Sequence, residues 1–384
     1  MKLLFASDSF KGSLDSEQTI AHLNKAAAEV FGDCETEGVP VADGGEGTVD
    51  AVIKAEAGEI VSCPVHGPLM DMIEARYGVF GGDQAVIEMS AASGLPLVDL
   101  DRRNPMNTTT FGTGELILDA LGKGYRKLSI AIGGSATNDG GMGCARALGL
   151  RFLDKDGREL EGFGRDLASV CDIDASGIDE RMHDCDITVM CDVTNPLCGD
   201  DGATRTFGAQ KGATPEIMEA LEKGMCNYRD VIKKSFGVDC DAIKGAGAAG
   251  GLGAALAVYF GGRMKSGIES VLDLIGFDER LEGVDLVVTG EGRTDWQSCF
   301  GKVMQGVGRR ASSKGIPVLG LSGSLGKGAM DICNYGVSSL MTTVNAPMTL
   351  DEALENAEAL YYEGAVRMFR FFKAGMEAGR KPQL

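Results

Sequence analysis

Three short clusters carry most of the side chains able to do chemistry. "SDSFKGS" places Asp8, Ser9 and Lys11 just after an apolar run, "ADGGEGT" places Asp43 and Glu46 after a second, and "TGEGRTD" places Glu291, Arg293 and Asp295 after a third. Each has the form of a strand end, where open α/β sheets bind ligands. On one parallel sheet the three loops share an edge, so carboxylates and cations remote in sequence converge. Only 3 histidines exist; His22 and His183 fall in helical or charged surroundings, and His66 in a hairpin turn. None lies in a strand-end cluster, which argues against Ser-His-Asp or Cys-His hydrolysis. Carboxylates, hydroxyls, glycines and a few cations remain. That inventory suits phosphoryl transfer, where catalysis is mostly positioning and charge stabilisation around Mg2+.

Glycine-rich turns form a second set. "IAIGGSATNDGG", residues 130–141, runs from an apolar strand through small polar residues into "MGCARALGL", which reads as a helix. Such a turn offers bare N–H groups and the positive end of a helix dipole, a favourable seat for phosphate; a tight turn that binds nothing is the competing reading. No GxxxxGK[ST] occurs anywhere, so the lysine-bearing phosphate loop is excluded. "TTFGTGE" (109–115), "CDVTNPL" (191–197), "FGAQKGA" (207–213) and "GAGAAGGLG" (245–253) have the same character. The last contains GxGxxG at Gly245, Gly247 and Gly250, but the polar "VDCDAIK" before it is no buried strand, and close packing or a phosphate contact explains it better than a dinucleotide fingerprint.

The elements that must position these residues follow from periodicity. Apolar runs at "KLLFAS", "EGVPVA", "DLVVTG", "PVLGLSG" and "SSLMTTV" are each followed by a helix-like segment, the pattern of a parallel, doubly wound sheet. Two of these units lie at the N-terminus and three beyond residue 285. The sheet is therefore built from both chain ends, and the reading assigns residues 1–60 and 286–384 to it, with an inserted α/β domain of mixed sheet over 61–285 and the active site in the cleft between them. The insert opens with hairpin-like alternation through "EIVSCPVHGPLMDMIEARYGVFGGDQAVIEMS". A final helix is expected from the Thr349/Glu352 capping box onward, with a core stripe at Leu350, Leu354, Ala357, Tyr361, Ala365, Met368 and Phe372.

Composition sets limits. A chain of 384 residues exceeds one ordinary core, and 56 acidic against 37 basic residues give a net charge of −19 with no basic run suited to nucleic acid. The 11 cysteines are odd in number, irregularly spaced and form no CxxC pair, so they read as reduced thiols, neither a disulfide framework nor a zinc site. No segment approaches a membrane span, and the apolar start is too short for a signal peptide. The expectation is a soluble cytoplasmic protein.

"DSFKGS", "PVADGGEGT", "IEMSAASGL", "TTFGTGELI", "GGSATNDGG", "CDVTNPLCG", "FGAQKGA", "GAGAAGGLG" and "TGEGRTD", in this order, resemble the bacterial glycerate kinase type I family from about residue 3 to 325, and more weakly beyond. The sequence departs from the family's usual residues at Ser7, Ala209, Trp296 and Met304, and Trp296 adjoins Asp295. The resemblance implies a flavodoxin-like domain interrupted by a second α/β domain and ATP-dependent phosphorylation of D-glycerate, with 2-phosphoglycerate the expected product and 3-phosphoglycerate the alternative. A Rossmann-type NAD(P)-dependent dehydrogenase and a non-catalytic nucleotide-binding sensor are the readings from other classes. On the kinase reading, Lys11 and Arg293 bind anionic groups at the reacting centre, and Asp8, Ser9, Asp43, Glu46 and Asp295 line the glycerate site. Gly133, Gly134, Ser135, Thr137 and Asn138, with Gly112 and Thr113, cradle the nucleotide. Asp192, at the end of the apolar "DITVMC", is the general base on the glycerate hydroxyl or, with Glu291, a Mg2+ ligand. ATP and Mg2+ are the cofactors and small molecules the partners, without nucleic acid or membrane; a homodimer is compatible with this reading.

Overall fold

The computed structural model describes residues Met1–Gly379, and its chain divides into two compact units: Met1–Asp43 with the chain from Ile268 onward, and Gly44–Gly267. The first unit opens with β1 (Lys2–Phe5) and β2 (Glu35–Gly38). The second contains β3 (Glu59–His66), β4 (Met72–Phe80), β5 (Gln84–Glu88), β6 (Lys127–Ala131), β7 (Arg151–Leu153), β8 (Asp172–Asp174), β9 (Asp186–Met190) and β10 (Arg263–Lys265). The chain then returns to the first with β11 (Leu286–Thr294), β12 (Val318–Leu325) and β13 (Ser339–Thr342).

The first unit is a 5-stranded, wholly parallel sheet in the order β13-β12-β11-β1-β2. Relabelled in chain order this is 2-1-3-4-5, the flavodoxin-like arrangement, whose switch point lies between β1 and β11. Leu3, Phe5, Leu286, Val288 and Leu321 are buried as the continuous apolar runs required. The helix Ser16–Phe31 starts at an Asp15/Gln18 capping box, and with the helix Ala357–Gly379 it covers one face through Leu23, Tyr361 and Phe369. Phe10 stacks edge-on against Tyr361 with centroids 5.1 Å apart, bracing the loop that carries Asp8 and Lys11.

The second unit holds a 6-stranded sheet, β10-β9-β6-β5-β4-β3, antiparallel at β3/β4 and β4/β5 and parallel elsewhere, beside a 2-stranded β7-β8 ribbon. Its ends meet: a Cβ on Gly44 would lie 2.5 Å from Gly267 Cα, and Gly44 has φ +85. Only glycines fit so close a crossing.

These boundaries differ from those read at 60/61 and 285/286. The helix Thr48–Ala55 goes with the second unit because its Ile53 packs onto Gly78 of β4, where a Cβ would meet it at 2.4 Å. Ile268 goes with the first because it fills the space above Gly306 in the helix Val303–Ser313. The C-terminal helix is also not continuous: Leu350–Glu355 ends at Asn356 before Ala357–Gly379 begins. The Thr349/Glu352 capping box forms, but Leu350 is 73% exposed, and the buried stripe begins only at Leu360 and Tyr361.

Candidate active site

β1 ends at Phe5 beside Val288, while β11 runs on to Thr294, so Glu291 and Arg293 lie within the strand, paired with Ser322 and Ser324 of β12, and not in a loop after it. Asp8 is fixed beside this extension by its N–H donating to the Gly290 carbonyl at 2.9 Å. A pocket of about 770 Å³ opens here, lined by Asp8, Ser9, Lys11, Asp43, Glu291, Arg293 and Lys302. Its far wall comes from the β12 end and from 342–361, including Thr342, Thr343, Leu350 and Tyr361. All of it belongs to the first unit.

Carboxylates dominate the floor. Burial pushes Asp8 up to about 7; the Asp43 carboxylate adds to this, Glu291 adds less, and the Ser9 N–H at 2.7 Å and Lys11 oppose it. Burial likewise raises Glu291, against the Ser298 hydroxyl that donates to its Oε1, the Lys302 charge, and a Thr294 hydroxyl at 3.0 Å. Crowded carboxylates that resist ionisation are relieved by a cation, and oxygen-only donors suit a hard one such as Mg2+. Cations line the same pocket. Lys11 is exposed at the rim, and Arg293 Nε lies 3.5 Å from Asp295 with its side chain 69% exposed. Asp295 is more deeply committed, since it also caps the short turn of helix Trp296–Cys299 by accepting from Gln297 N at 2.9 Å. Trp296 turns outward onto Phe300 and does not line the pocket.

Sequence reasoning missed Lys302 and the 342–361 wall. Lys302 had a local signal, a lysine directly before a helix that follows a strand-end cluster. The wall had none, because its residues come from a helix start that reads as ordinary amphipathic sequence.

In the second unit Asp192 stands at the end of β9, exposed, its Oδ1 accepting from Ser266 Oγ at 2.8 Å and Gly267 N at 3.0 Å. The carboxylate is thus oriented by the segment after β10. Glu46 is exposed and belongs to this unit, whereas Asp43 belongs to the first.

The glycine-rich turn at 133–141 divides. Gly133 and Gly134 are exposed and Ser135 is 8% exposed, but Thr137, Asn138 and Asp139 have no exposed surface. Asp139 accepts from Thr110 N and Oγ1 at 2.7 Å each, from Gly141 N at 3.1 Å and from Gly143 N at 3.2 Å. An internal carboxylate therefore occupies the N-terminus of Met142–Ala147, where an external anion was expected. Asn138 donates to Thr204 Oγ1, and the fully buried Lys211, pushed down to about 7 by burial, donates to the Thr137 carbonyl at 2.6 Å. Thr113 is paired with Ser93, and a Cβ on Gly112 would sit 1.8 Å from the His66 carbonyl. In this arrangement Thr137, Asn138, Gly112 and Thr113 are buried where loops pack together, with Thr137 Oγ1 and Asn138 Oδ1 lacking a hydrogen-bond partner. The GxGxxG segment packs likewise: Gly140 N donates to Gly250 O at 2.9 Å, and Cβ atoms on Gly247 and Gly250 would meet Pro196 O and Thr137 O at 2.1 and 2.2 Å. The segment before it is a turn of 3-10 helix, Cys240–Ala242, not a strand, so the dinucleotide reading loses its structural basis.

Carboxylates and cations gathered at the switch point of a flavodoxin-like unit suit phosphoryl transfer to a small molecule. The sequence matches the glycerate kinase family over residues 3–373. It is 44% identical over 382 residues to the glycerate 2-kinase of Escherichia coli K12, covering 99% of both chains, and 44% identical over 368 residues to the glycerate kinase of Bacillus subtilis 168, covering 96% of both. A crystal structure described as a glycerate kinase 2 from Salmonella typhimurium LT2 superposes with a TM-score of 0.89 at 42% identity, over 98% of this chain and 99% of that one. The chain belongs to the glycerate kinase family, phosphotransferases whose acceptor is an alcohol group. Among the described residues no helix is long and apolar enough to cross a membrane.

Proposed function

We propose that this chain transfers the terminal phosphoryl group of ATP to the 2-hydroxyl of D-glycerate, giving ADP and 2-phosphoglycerate. The observation that carries the reading is the pocket at the β1/β11 switch point, whose floor gathers Asp8, Asp43 and Glu291 and whose rim carries Lys11, Arg293 and Lys302. Position 2 rests on the likeness to the glycerate 2-kinase of E. coli over 99% of both chains.

Lys11 and Arg293 bind the anionic groups of the reaction, the guanidinium fork suiting a carboxylate or phosphate. Ser9 lines the pocket beside them, while Asp295 does not line it and acts through its ion pair with Arg293. Asp8, Asp43 and Glu291 are the residues that would hold Mg2+, which supplies charge neutralisation on the phosphates. Asp192 accepts the proton of the glycerate hydroxyl, a role that needs an oriented carboxylate and matches its two hydrogen bonds to Ser266 and Gly267. Gly133, Gly134 and Ser135 offer the backbone approach to nucleotide phosphates that the buried part of their loop does not.

The test is a direct one. Purified protein, D-glycerate, ATP and Mg2+ are incubated with enolase but no phosphoglycerate mutase. Formation of phosphoenolpyruvate supports 2-phosphorylation; ADP release without it makes 3-phosphoglycerate the product. No glycerate-dependent ADP leaves the nucleotide-sensor reading standing instead.

A further inference from the structure

Away from the pocket, the second unit brings together Cys198, Glu222 and Cys226, with one ligand atom of each lying within 4.8 Å of the other two. Glu222 and Cys226 are one turn apart on the helix Pro215–Phe236 and share a face; Cys226 Sγ is 3.7 Å from Glu222 Oε1. Cys198 enters from the loop after β9, and the next N–H, of Gly199, donates to the same Oε1 at 2.7 Å. The other carboxylate oxygen is the telling one. Glu222 is only 7% exposed, and its Oε2 is buried without a hydrogen-bond partner. A buried carboxylate oxygen left unpaired beside two thiols is a cost the fold has no other visible reason to bear.

We propose that Cys198, Glu222 and Cys226 bind one borderline-soft divalent cation of the Zn2+ type. Two sulfurs and a carboxylate are a donor set that Zn2+ accepts and the hard Mg2+ of phosphoryl transfer does not. Tetrahedral bonds of about 2.3 Å to sulfur and 2.1 Å to oxygen set an S···O edge of about 3.6 Å, and the Cys226–Glu222 separation of 3.7 Å already matches it. Cys198 must close by about 1 Å at most, and a water completes the tetrahedron. Binding converts both thiols to thiolates and releases their two protons to solvent, so affinity rises steeply with pH. The bound site carries one net negative charge, and Arg229, whose charge bears on Cys198, lies beside it. Burial raises both thiols, which keeps them protonated and unreactive until a metal displaces the protons. The cluster departs from the expectation that the cysteines form no zinc site, because its ligands come from a loop and a helix rather than from a CxxC pair.

Chelator-stripped, reduced protein is titrated with Co2+ in excess Mg2+. A near-ultraviolet thiolate-to-cobalt charge-transfer band that saturates at one equivalent and is bleached by Zn2+ is expected. Glu222→Gln and Cys226→Ser should each weaken Co2+ by about 10²-fold, while glycerate-dependent kinase activity at saturating Mg2+ stays as in the parent. Cys226 is partly exposed, so its variant remains informative if Cys198→Ala fails to fold. A Co2+ spectrum without the charge-transfer band, unchanged affinity in Cys226→Ser, or a Cys198–Cys226 disulfide found by mass spectrometry in protein purified without reductant would each overturn the proposal.

Discussion

Asp8→Asn should make the first unit more stable at pH 8 while abolishing the pocket's function. Asp8 is held at about 7 against an ordinary 3.8, because burial and the Asp43 carboxylate disfavour its charge. A carboxyl raised in the folded state keeps its proton there more readily than in the unfolded chain. The stability this contributes is fully present below pH 3.8 and is lost as pH rises through about 7. At about 1.4 kcal/mol per pH unit the interval amounts to about 4 kcal/mol, and since Asp8 is coupled to the raised Glu291 carboxyl, about 2 kcal/mol is a reasonable floor. Asparagine keeps the shape and the Ser9 N–H acceptor but carries no charge. Relative to the parent, Asp8→Asn should therefore gain 2–4 kcal/mol (about) between pH 4 and pH 8. The sole tryptophan, Trp296, lies in this unit, so its fluorescence during urea unfolding reports the relevant transition. Added Mg2+ should recover part of the loss in the parent and none in the variant. Parallel pH profiles, differing by less than about 0.5 kcal/mol, would refute the claim that Asp8 is a strained acid poised for a cation.

Lys11→Met should lower kcat/KM for phosphorylation by roughly 10²-fold with the fold intact; parent-like kinetics would remove Lys11 from the site. Asp192→Asn retains a carbonyl oxygen to accept from Ser266 and Gly267, so it should fold normally and lose kcat by about 10²-fold, with rescue by raised Mg2+ reassigning it as a metal ligand. Arg293→Lys should raise the KM for glycerate or ATP with little change in stability, because its pairing with Asp295 at 3.5 Å is exposed and weak; unchanged KM with lost stability would make it an ion-pair residue only. Gly112→Ala should destabilise the second unit by at least about 1–3 kcal/mol, measured by thermal unfolding, since its Cβ would be driven into the His66 carbonyl.

Much of the framework was legible. Continuous apolar runs at Leu3–Phe5 and Leu286–Val288, each followed by polar residues, marked buried parallel strands and the side of the sheet where the pocket lies. The Thr349/Glu352 capping box was visible at the right place. What could not be read was tertiary. Nothing local shows that the Asp139 side chain turns back to fill its own helix N-terminus, or that Gly250 presses on Thr137, and those two facts decide which residues of "GGSATNDGG" face inward. Periodicity could not show the break at Asn356 either, because the helical phase continues across it. Ile53 and Ile268 drew the unit boundaries by what they touch, which no window of sequence contains.

One consequence of the topology concerns the order in which the molecule can be built. β1 finds its long-range partner only when Leu286 has been made, since Leu3 pairs with Leu286. During synthesis the N-terminal strands wait, while Gly44–Gly267 already holds everything its own sheet needs. If that stretch remained a flexible loop, closing it would cost about 5 kcal/mol of chain entropy. Once folded, it delivers its two ends together at the Gly44–Gly267 crossing, so a loop of more than two hundred residues behaves as a short one. The two glycines thus act as a clasp: a bulky side chain at Gly44 would slow assembly of a sheet in which it takes no part.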